Sequence, residues 1–341
     1  MTALRHKKLI IAAIASCLAI AAAAIWAYPY AYGKVGCDTT LYIYPDASRQ
    51  AVADSLAAKC DKAFARRVAN MLQWMDVNLS NRAGAYAISS DDTPLSAARK
   101  IRNKQQSPVR FTFNNIRLKQ QFADRVAKKL LMTENDILTL LNDSSACSKF
   151  GKTPLTIVNI LLPDSYECWW NASPSQLMNT MHHYYEQFWN GERDAKARVL
   201  GLSRDQIQII ASIVEEETSK RDEMGLVARL YINRLERGML LQADPTVKFA
   251  MGDFSIRRIT SAMLKTESPY NTYLHPGLPP GPIRFASKAG IDAVLNAPEH
   301  DYLYMCAKED FSGYHNFASS YAQHMRNARK YQAELNRRGI K

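Results

Sequence analysis

Three consecutive glutamates, Glu215, Glu216 and Glu217, close a segment, 203–218, that is otherwise largely apolar. A carboxyl group held on an apolar surface stays protonated more readily, because desolvation disfavours its charged form. A carboxyl pKa moved toward neutrality is what general acid catalysis needs. Helical phase selects among the three. Ile207, Ile210, Ala211 and Val214 recur at helical spacing and make one buried stripe. Glu217 is seven residues after Ile210 and three after Val214, so it points with the stripe. Glu216 falls roughly opposite Ile207 and is expected in solvent. Glu215 lies at the stripe's edge, as second choice or as a partner that tunes Glu217 by like charge. The competing reading is a helix end carrying solvated acids.

A set of polar residues downstream could line a cleft beside this acid: Asn233, Arg234, Gln242, Asp244, Tyr270, Asn271, Thr272, Tyr273 and His315. The hydroxyls and amide of 270–273 suit a sugar's hydroxyl and N-acetyl groups. Each has a structural alternative: an ion pair for Arg234, a cap on a 247–251 helix for Asp244, a satisfied internal histidine for His315.

The elements that must position these residues are legible from caps and periods. Ser203 with Gln206 three residues later reads as a capping box opening the glutamate helix. A second amphipathic helix covers 224–237, with Val227, Leu230, Tyr231 and Leu235 inward and Gly238 as its stop. Packing of the two would bring Asn233 or Arg234 toward the end of the first. Pro245 makes 242–246 a loop. The proline-rich 277–283 stretch lacks several backbone donors and reads as a rigid wall. Upstream, strand 39–44, helices 48–59 and 64–75, strand 83–88 and helix 94–102 form a small α+β unit. A strand at 109–113, helices at 118–131 and 134–141, a polar loop at 142–152 and a helix at 176–191 follow. His182 and His183 on that helix diverge and read as structural. Residues 302–306 read as a buried strand. The Trp169-Trp170 pair suits either core packing or a sugar platform. The fold class is α+β.

The chain has 341 residues and a net charge of +12. That excess could meet nucleic acid, anionic lipid or an acidic polymer, but no nucleic-acid module is present. Residues 9–27 are apolar and follow Arg5, Lys7 and Lys8. This is close to a membrane span with its N-terminus in the cytoplasm and everything beyond about Tyr28 in a periplasm. A cleaved signal peptide and lipoprotein processing at Cys17 are the alternatives. In an oxidising compartment Cys37 and Cys60, and Cys147 and Cys168, are candidate disulfides, with Cys306 a free buried thiol. No cysteine or histidine cluster has zinc-ligand spacing.

Several ordered blocks follow the glutamate helix: Tyr231-Ile232-Asn233-Arg234-Leu235, Leu241 to Val247, Tyr270-Asn271-Thr272-Tyr273, and Gly277 to Ile283. In this order they resemble the endolytic murein transglycosylase family, MltG or YceG-like, densely over 200–330 and as a domain plan upstream. Leu162-Pro163-Asp164-Ser165-Tyr166 resembles that family's Phe-Pro-Asp-Thr-Tyr block, with Leu and Ser as departures. His315-Asn316-Phe317 has Asn where the family has Thr, and Met325 follows His324 where the family has Asn.

The resemblance implies a cytoplasmic N-terminus at 1–8, a transmembrane helix at 9–30, a LysM-like α+β module at 36–105, a connecting region at 106–195 and a catalytic domain at 196–341. It implies cleavage of the β-1,4 bond between MurNAc and GlcNAc in nascent peptidoglycan, leaving 1,6-anhydroMurNAc ends and ending glycan elongation. Glu217 is the catalytic residue by the family motif, acid first and base afterwards, with no metal or cofactor. The implied setting is a single-pass protein of the cell inner membrane with a periplasmic catalytic domain. The implied partners are peptidoglycan glycan strands, peptidoglycan synthases and elongation proteins, and no nucleic acid. A non-catalytic peptidoglycan-binding scaffold competes with this reading. A metal-dependent hydrolase built on His275, His315 and His324 lacks ligand spacing.

Overall fold

A helix of 30 residues opens the chain, α1 (Thr2–Ala31), and it runs through Pro29. The computed structural model describes residues 2–256 and 258–339. Met1 of the expected 1–8 segment, and Arg257, Ile340 and Lys341 of the expected 196–341 domain, lie outside the described residues. Within α1, the 26 residues His6–Ala31 are long and apolar enough to cross a membrane; at 1.5 Å per residue they reach about 39 Å.

The chain forms two compact units, Met1–Arg110 with Glu167–Ala172, and Phe111–Tyr166 with Ser173–Lys341. Residues 111–166 and 173–195, most of the expected connecting region, therefore cluster with the C-terminal elements. In the first unit, β1 (Thr39–Ile43), α2 (Arg49–Ala57), α3 (Lys62–Trp74), β2 (Gly84–Ile88) and α4 (Pro94–Arg102) follow α1 in the expected order. The strands pair antiparallel with Leu41 opposite Tyr86. Ser48 and Asp61 cap α2 and α3, and Thr93 with Ser96 closes a capping box on α4. Val52, Leu56, Phe64, Val68, Leu72, Tyr86 and Ile101 fill the core. Trp170 is buried against Tyr42 and Tyr44, whereas Trp169 is exposed.

Cys37 and Cys60 form a disulfide with Cα atoms 6.0 Å apart. The other expected bridge does not form: Cys147 and Cys168 are both free and buried. The Cys147 sulfur lies 3.7 Å from the Leu141 carbonyl, directed at the turn that precedes it.

β3 (Val109–Thr112) pairs with β4 (Ser165–Cys168). Between them lie α5 (Lys119–Lys129), α6 (Glu134–Asn142) and α7 (Ser144–Ser148). The last is a short helix capped by Asp143 where a polar loop was expected. Then come α8 (Pro174–Phe188), α9 (Gly191–Val199), α10 (Arg204–Glu217), α11 (Arg221–Glu236), α12 (Asp244–Met251) and α13 (Lys288–Leu295). A hairpin of β5 (Tyr304–Ala307) and β6 (His315–Ala318), paired antiparallel, and α14 (Tyr321–Arg337) end the unit.

The second unit is organised around α10. The Ser203–Gln206 capping box forms as expected. Instead of one buried stripe, every residue from Ile207 to Val214 is buried, because α9, α11, α12 and α13 all pack against this helix. A helix apolar on all sides belongs inside a domain. Of its two interior polar side chains, Ser212 is satisfied on both sides, its hydroxyl donating to Ile209 O and accepting from Ile283 N–H. The Gln208 amide nitrogen donates to the Asn159 carbonyl, while its oxygen is buried with no hydrogen-bond partner among the described residues.

Candidate active site

The three glutamates leave the buried helix in three directions, and each meets different chemistry. Glu217 lines a pocket of about 230 Å³ together with Tyr231, Arg234, Gln242, Asp244, Tyr273 and His315. Leu230, Leu241, Met305, Cys306 and Ala307 complete its walls. The Tyr231 hydroxyl donates to Glu217 Oε1 at 2.7 Å. Loss of hydration pushes the Glu217 carboxyl up to about 7. The nearby Asp244 charge adds to this rise, while the Tyr231 hydrogen bond, His315 and Lys248 oppose it. The residue stays partly accessible from the pocket, so a proton held there can reach a ligand.

Glu216 was expected in solvent and is instead ion-paired. Arg117 grips it with two bonds, at 2.9 and 2.8 Å, and Arg284 adds a third at 3.0 Å. Glu215, expected among the cleft residues, does not line the pocket. Its carboxylate accepts from the Ser287 N–H at 3.1 Å and from the Ser287 hydroxyl at the N-terminus of α13. Arg284 lies 3.7 Å away. Gly290 allows this approach, since a Cβ there would fall 2.7 Å from the Glu215 carboxyl carbon.

The downstream candidates divide in the same way. Gln242, Asp244, Tyr273, Arg234 and His315 reach the pocket. Asp244 opens α12 rather than capping it from outside, with Pro245 in the first turn, and its Oδ1 accepts from the Tyr273 hydroxyl at 2.6 Å. Arg234 makes no ion pair among the described residues; it donates to the carbonyls of Leu303, Leu240 and Leu241. It thereby ties α11 to the pocket rim. Asn233, Tyr270, Asn271 and Thr272 do not line the pocket. Asn233 donates to the His300 and Tyr302 carbonyls, and Asn271 to those of Leu264 and Thr266. Thr272 accepts from Ala243 N–H. Tyr270 packs its ring 4.7 Å from Phe249. Cys306 is free, as expected, but partly exposed in the pocket wall rather than buried.

Two residues that matter here escaped the sequence reading as site residues. Tyr231 was assigned to the buried side of α11 and is the direct partner of Glu217. Glu223, in the first turn of α11, is 3% exposed and receives His315 N–H at 2.7 Å on one oxygen. Its other oxygen meets His315 Nδ1 at 2.8 Å and the Thr218 hydroxyl at 3.0 Å. Glu223 thus joins the residue after Glu217 to His315, which lines the same pocket.

A model of the YceG-like family matches residues 41–330. A Bacillus subtilis protein named endolytic murein transglycosylase is 36% identical over 135 residues, which cover 40% of this chain and 37% of that protein. One of the same name from Streptococcus pneumoniae serotype 2 is 31% identical over 134 residues, 38% of this chain and 24% of that one. The match thus spans well under half the length of either relative. The crystal structure of a YceG-like protein from Listeria monocytogenes superposes with a TM-score of 0.56 at 24% identity, over 85% of this chain and 98% of that one, and so shares the fold. With the family model running through both units and across every wall of the Glu217 pocket, the chain belongs to the YceG-like family.

Proposed function

We propose that this protein is a membrane-anchored lytic transglycosylase that cuts glycan strands of peptidoglycan internally, with Glu217 as its single acid and base. The observation that carries this reading is the Glu217 carboxyl, raised to about 7 and open to a small pocket rimmed by hydroxyl and amide groups. The names of the two relatives support the same substrate class.

In the first step the protonated Glu217 gives its proton to the oxygen bridging MurNAc C1 to GlcNAc C4. The C1–O bond breaks, and that oxygen leaves as the GlcNAc hydroxyl. In the second step the Glu217 carboxylate takes the proton from the MurNAc C6 hydroxyl as its oxygen bonds to C1. The proton is returned, no water enters, and the new end is a 1,6-anhydro ring. Asp244, which accepts from the Tyr273 hydroxyl and lines the same pocket as Glu217, supplies the negative charge that offsets positive charge developing at C1. In this reading α1 crosses the inner membrane with the catalytic unit in the periplasm. The N-terminal module, LysM-like in element order, holds glycan. Cutting nascent strands ends their elongation beside the synthases and elongation proteins that make them.

The full-length protein incubated with isolated glycan strands in heavy-oxygen water tests the chemistry. Mass spectrometry is expected to find anhydro ends carrying no heavy oxygen. Reducing ends that carry it would mean hydrolysis, and uncut strands would favour a binding scaffold.

Two pH effects follow. The first step needs Glu217 protonated, so turnover is expected to fall as pH rises past about 7. Asp244 raises that carboxyl's pKa. Asp244→Asn therefore moves the alkaline limb of a pH–rate profile to lower pH. An unmoved limb would mean that the limb reports another group.

A further inference from the structure

The end of α1 carries a ring of aromatic residues that neither the pocket nor the core of the first unit uses. Trp26 and Tyr30 are one helical turn apart, as are Tyr28 and Tyr32, with ring centroids at 5.3 and 5.2 Å. Two residues along a helix turn about 200°, so the pairs lie on opposite sides and encircle the helix where the apolar stretch ends. The elements β1 to α4 follow, and one of their side chains joins this ring. Trp74, the last residue of α3, sits 5.3 Å from Trp26 and 5.0 Å from Tyr30. Asn70, one turn earlier, donates to the Tyr30 hydroxyl at 3.3 Å.

Trp74 is not a core residue. The buried face of α3 is Phe64, Ala65, Val68 and Leu72, whereas Trp74 is 51% exposed and Trp26 60%. Large rings left open to water are costly, and tryptophan and tyrosine, apolar with a polar tip, concentrate where acyl chains meet headgroups. The ring at the end of α1 has that composition at that height. Trp74 extends it from the helix onto the module.

We propose that Trp74 inserts into the headgroup layer of the bilayer that α1 crosses, with Trp26, Tyr28, Tyr30 and Tyr32, and seats the C-terminal end of α3 on the membrane surface. The occupant of this aromatic face is lipid. The inference rests on α1 being a membrane span, and the test separates the two statements.

The full chain is reconstituted in phosphatidylcholine vesicles, with the lipid either unmodified or brominated near the headgroup or near the chain ends. Emission is recorded for the natural protein and for Trp74→Phe, Trp74→Tyr and Trp26→Phe. The Trp74 component is the difference between the natural protein and either Trp74 variant. It is expected to be blue-shifted, and shallow bromines quench it at least about twofold more than deep ones. Quenching of the Trp26 component without the Trp74 component would keep the span and overturn the seating. If neither component is quenched, the span itself is refuted and the seating with it. A Trp74 component shielded from both lipid bromine and aqueous iodide would mean a protein covers it, which overturns the proposal.

Discussion

Glu217→Gln is expected to lower strand cleavage by about 10²–10⁴-fold while making the folded protein more stable at alkaline pH. Both effects come from one carboxyl. Glutamine has nearly the same shape, and its amide oxygen can still accept the Tyr231 hydroxyl that now reaches Glu217 Oε1 at 2.7 Å. It cannot give a proton to a bridging oxygen or take one from the C6 hydroxyl, so both steps fail together.

The stability effect has a definite sign. The folded state raises this carboxyl from 4.5 to about 7. Below about 4.5 it is protonated in both states and carries no penalty. Between 4.5 and 7 the unfolded chain ionises first, so stability falls as pH rises, and above 7 the loss is complete. A shift of that size corresponds to roughly 3 kcal/mol, which glutamine would not lose. Thermal melts of the two proteins are therefore expected to coincide at pH 4 and to separate by several degrees at pH 8, the variant melting higher. Full cleavage activity in the variant would remove Glu217 from the mechanism. A stability gain of equal size at both pH values would show that the carboxyl is not titrating in the folded state.

Such a trade between activity and stability belongs to a site that holds an acid out of water, and helical phase is the sequence feature that singles out Glu217. Glu217 extends a series that repeats every three or four residues. The premise of a single stripe does not hold, since α10 is buried on every side, yet of the three glutamates it is Glu217 that lines the pocket. Phase failed for Glu216 because its partners are remote: Arg117 lies 99 residues away and Arg284 lies 68. No local period carries information about such pairs.

A different limit explains the 270–273 block. Its composition suggested groups facing a ligand, yet Asn271 bonds nearby backbone, as short polar side chains tend to do, and Thr272 is taken by the Ala243 N–H, 29 residues away. Only the longer Tyr273 reaches the pocket. The elements of the first unit were legible because caps and alternation are local: Thr93 opens α4, and the α2 and α3 stripes repeat on schedule. α9 was not, because it buries only Ala197 and so shows no stripe. Glu223 was hidden by its position, since an acid in the first turn of a helix is ordinarily explained by the helix dipole.

Glu223→Ala is expected to be the most damaging change outside the pocket itself. Three donors converge on this carboxylate: His315 N–H, His315 Nδ1 and the Thr218 hydroxyl. Alanine leaves all three inside the protein without their acceptor, and each buried orphan costs about 1–3 kcal/mol. Partial rearrangement of the Thr218 hydroxyl offsets some of this, so a loss of about 3 kcal/mol is expected, seen as a lower urea midpoint. Catalysis should suffer as well. Thr218 follows Glu217 directly, and His315 lines the same pocket, so Glu223 fixes the spacing of the two. A displacement of about 1 Å in such a constellation costs about 100-fold.

The two consequences are separable. If Glu223 acts on catalysis through His315, then His315→Ala and the double variant should be equally slow, even though the double variant is the less stable. Additive losses in activity would mean that Glu223 reaches the reaction by another route. The alkaline limb provides an independent reading, because His315 lowers the Glu217 carboxyl's pKa. A His315 moved away or removed should let that limb rise to higher pH, in the direction opposite to Asp244→Asn. A purely structural Glu223 would weaken the protein and leave the limb where it was.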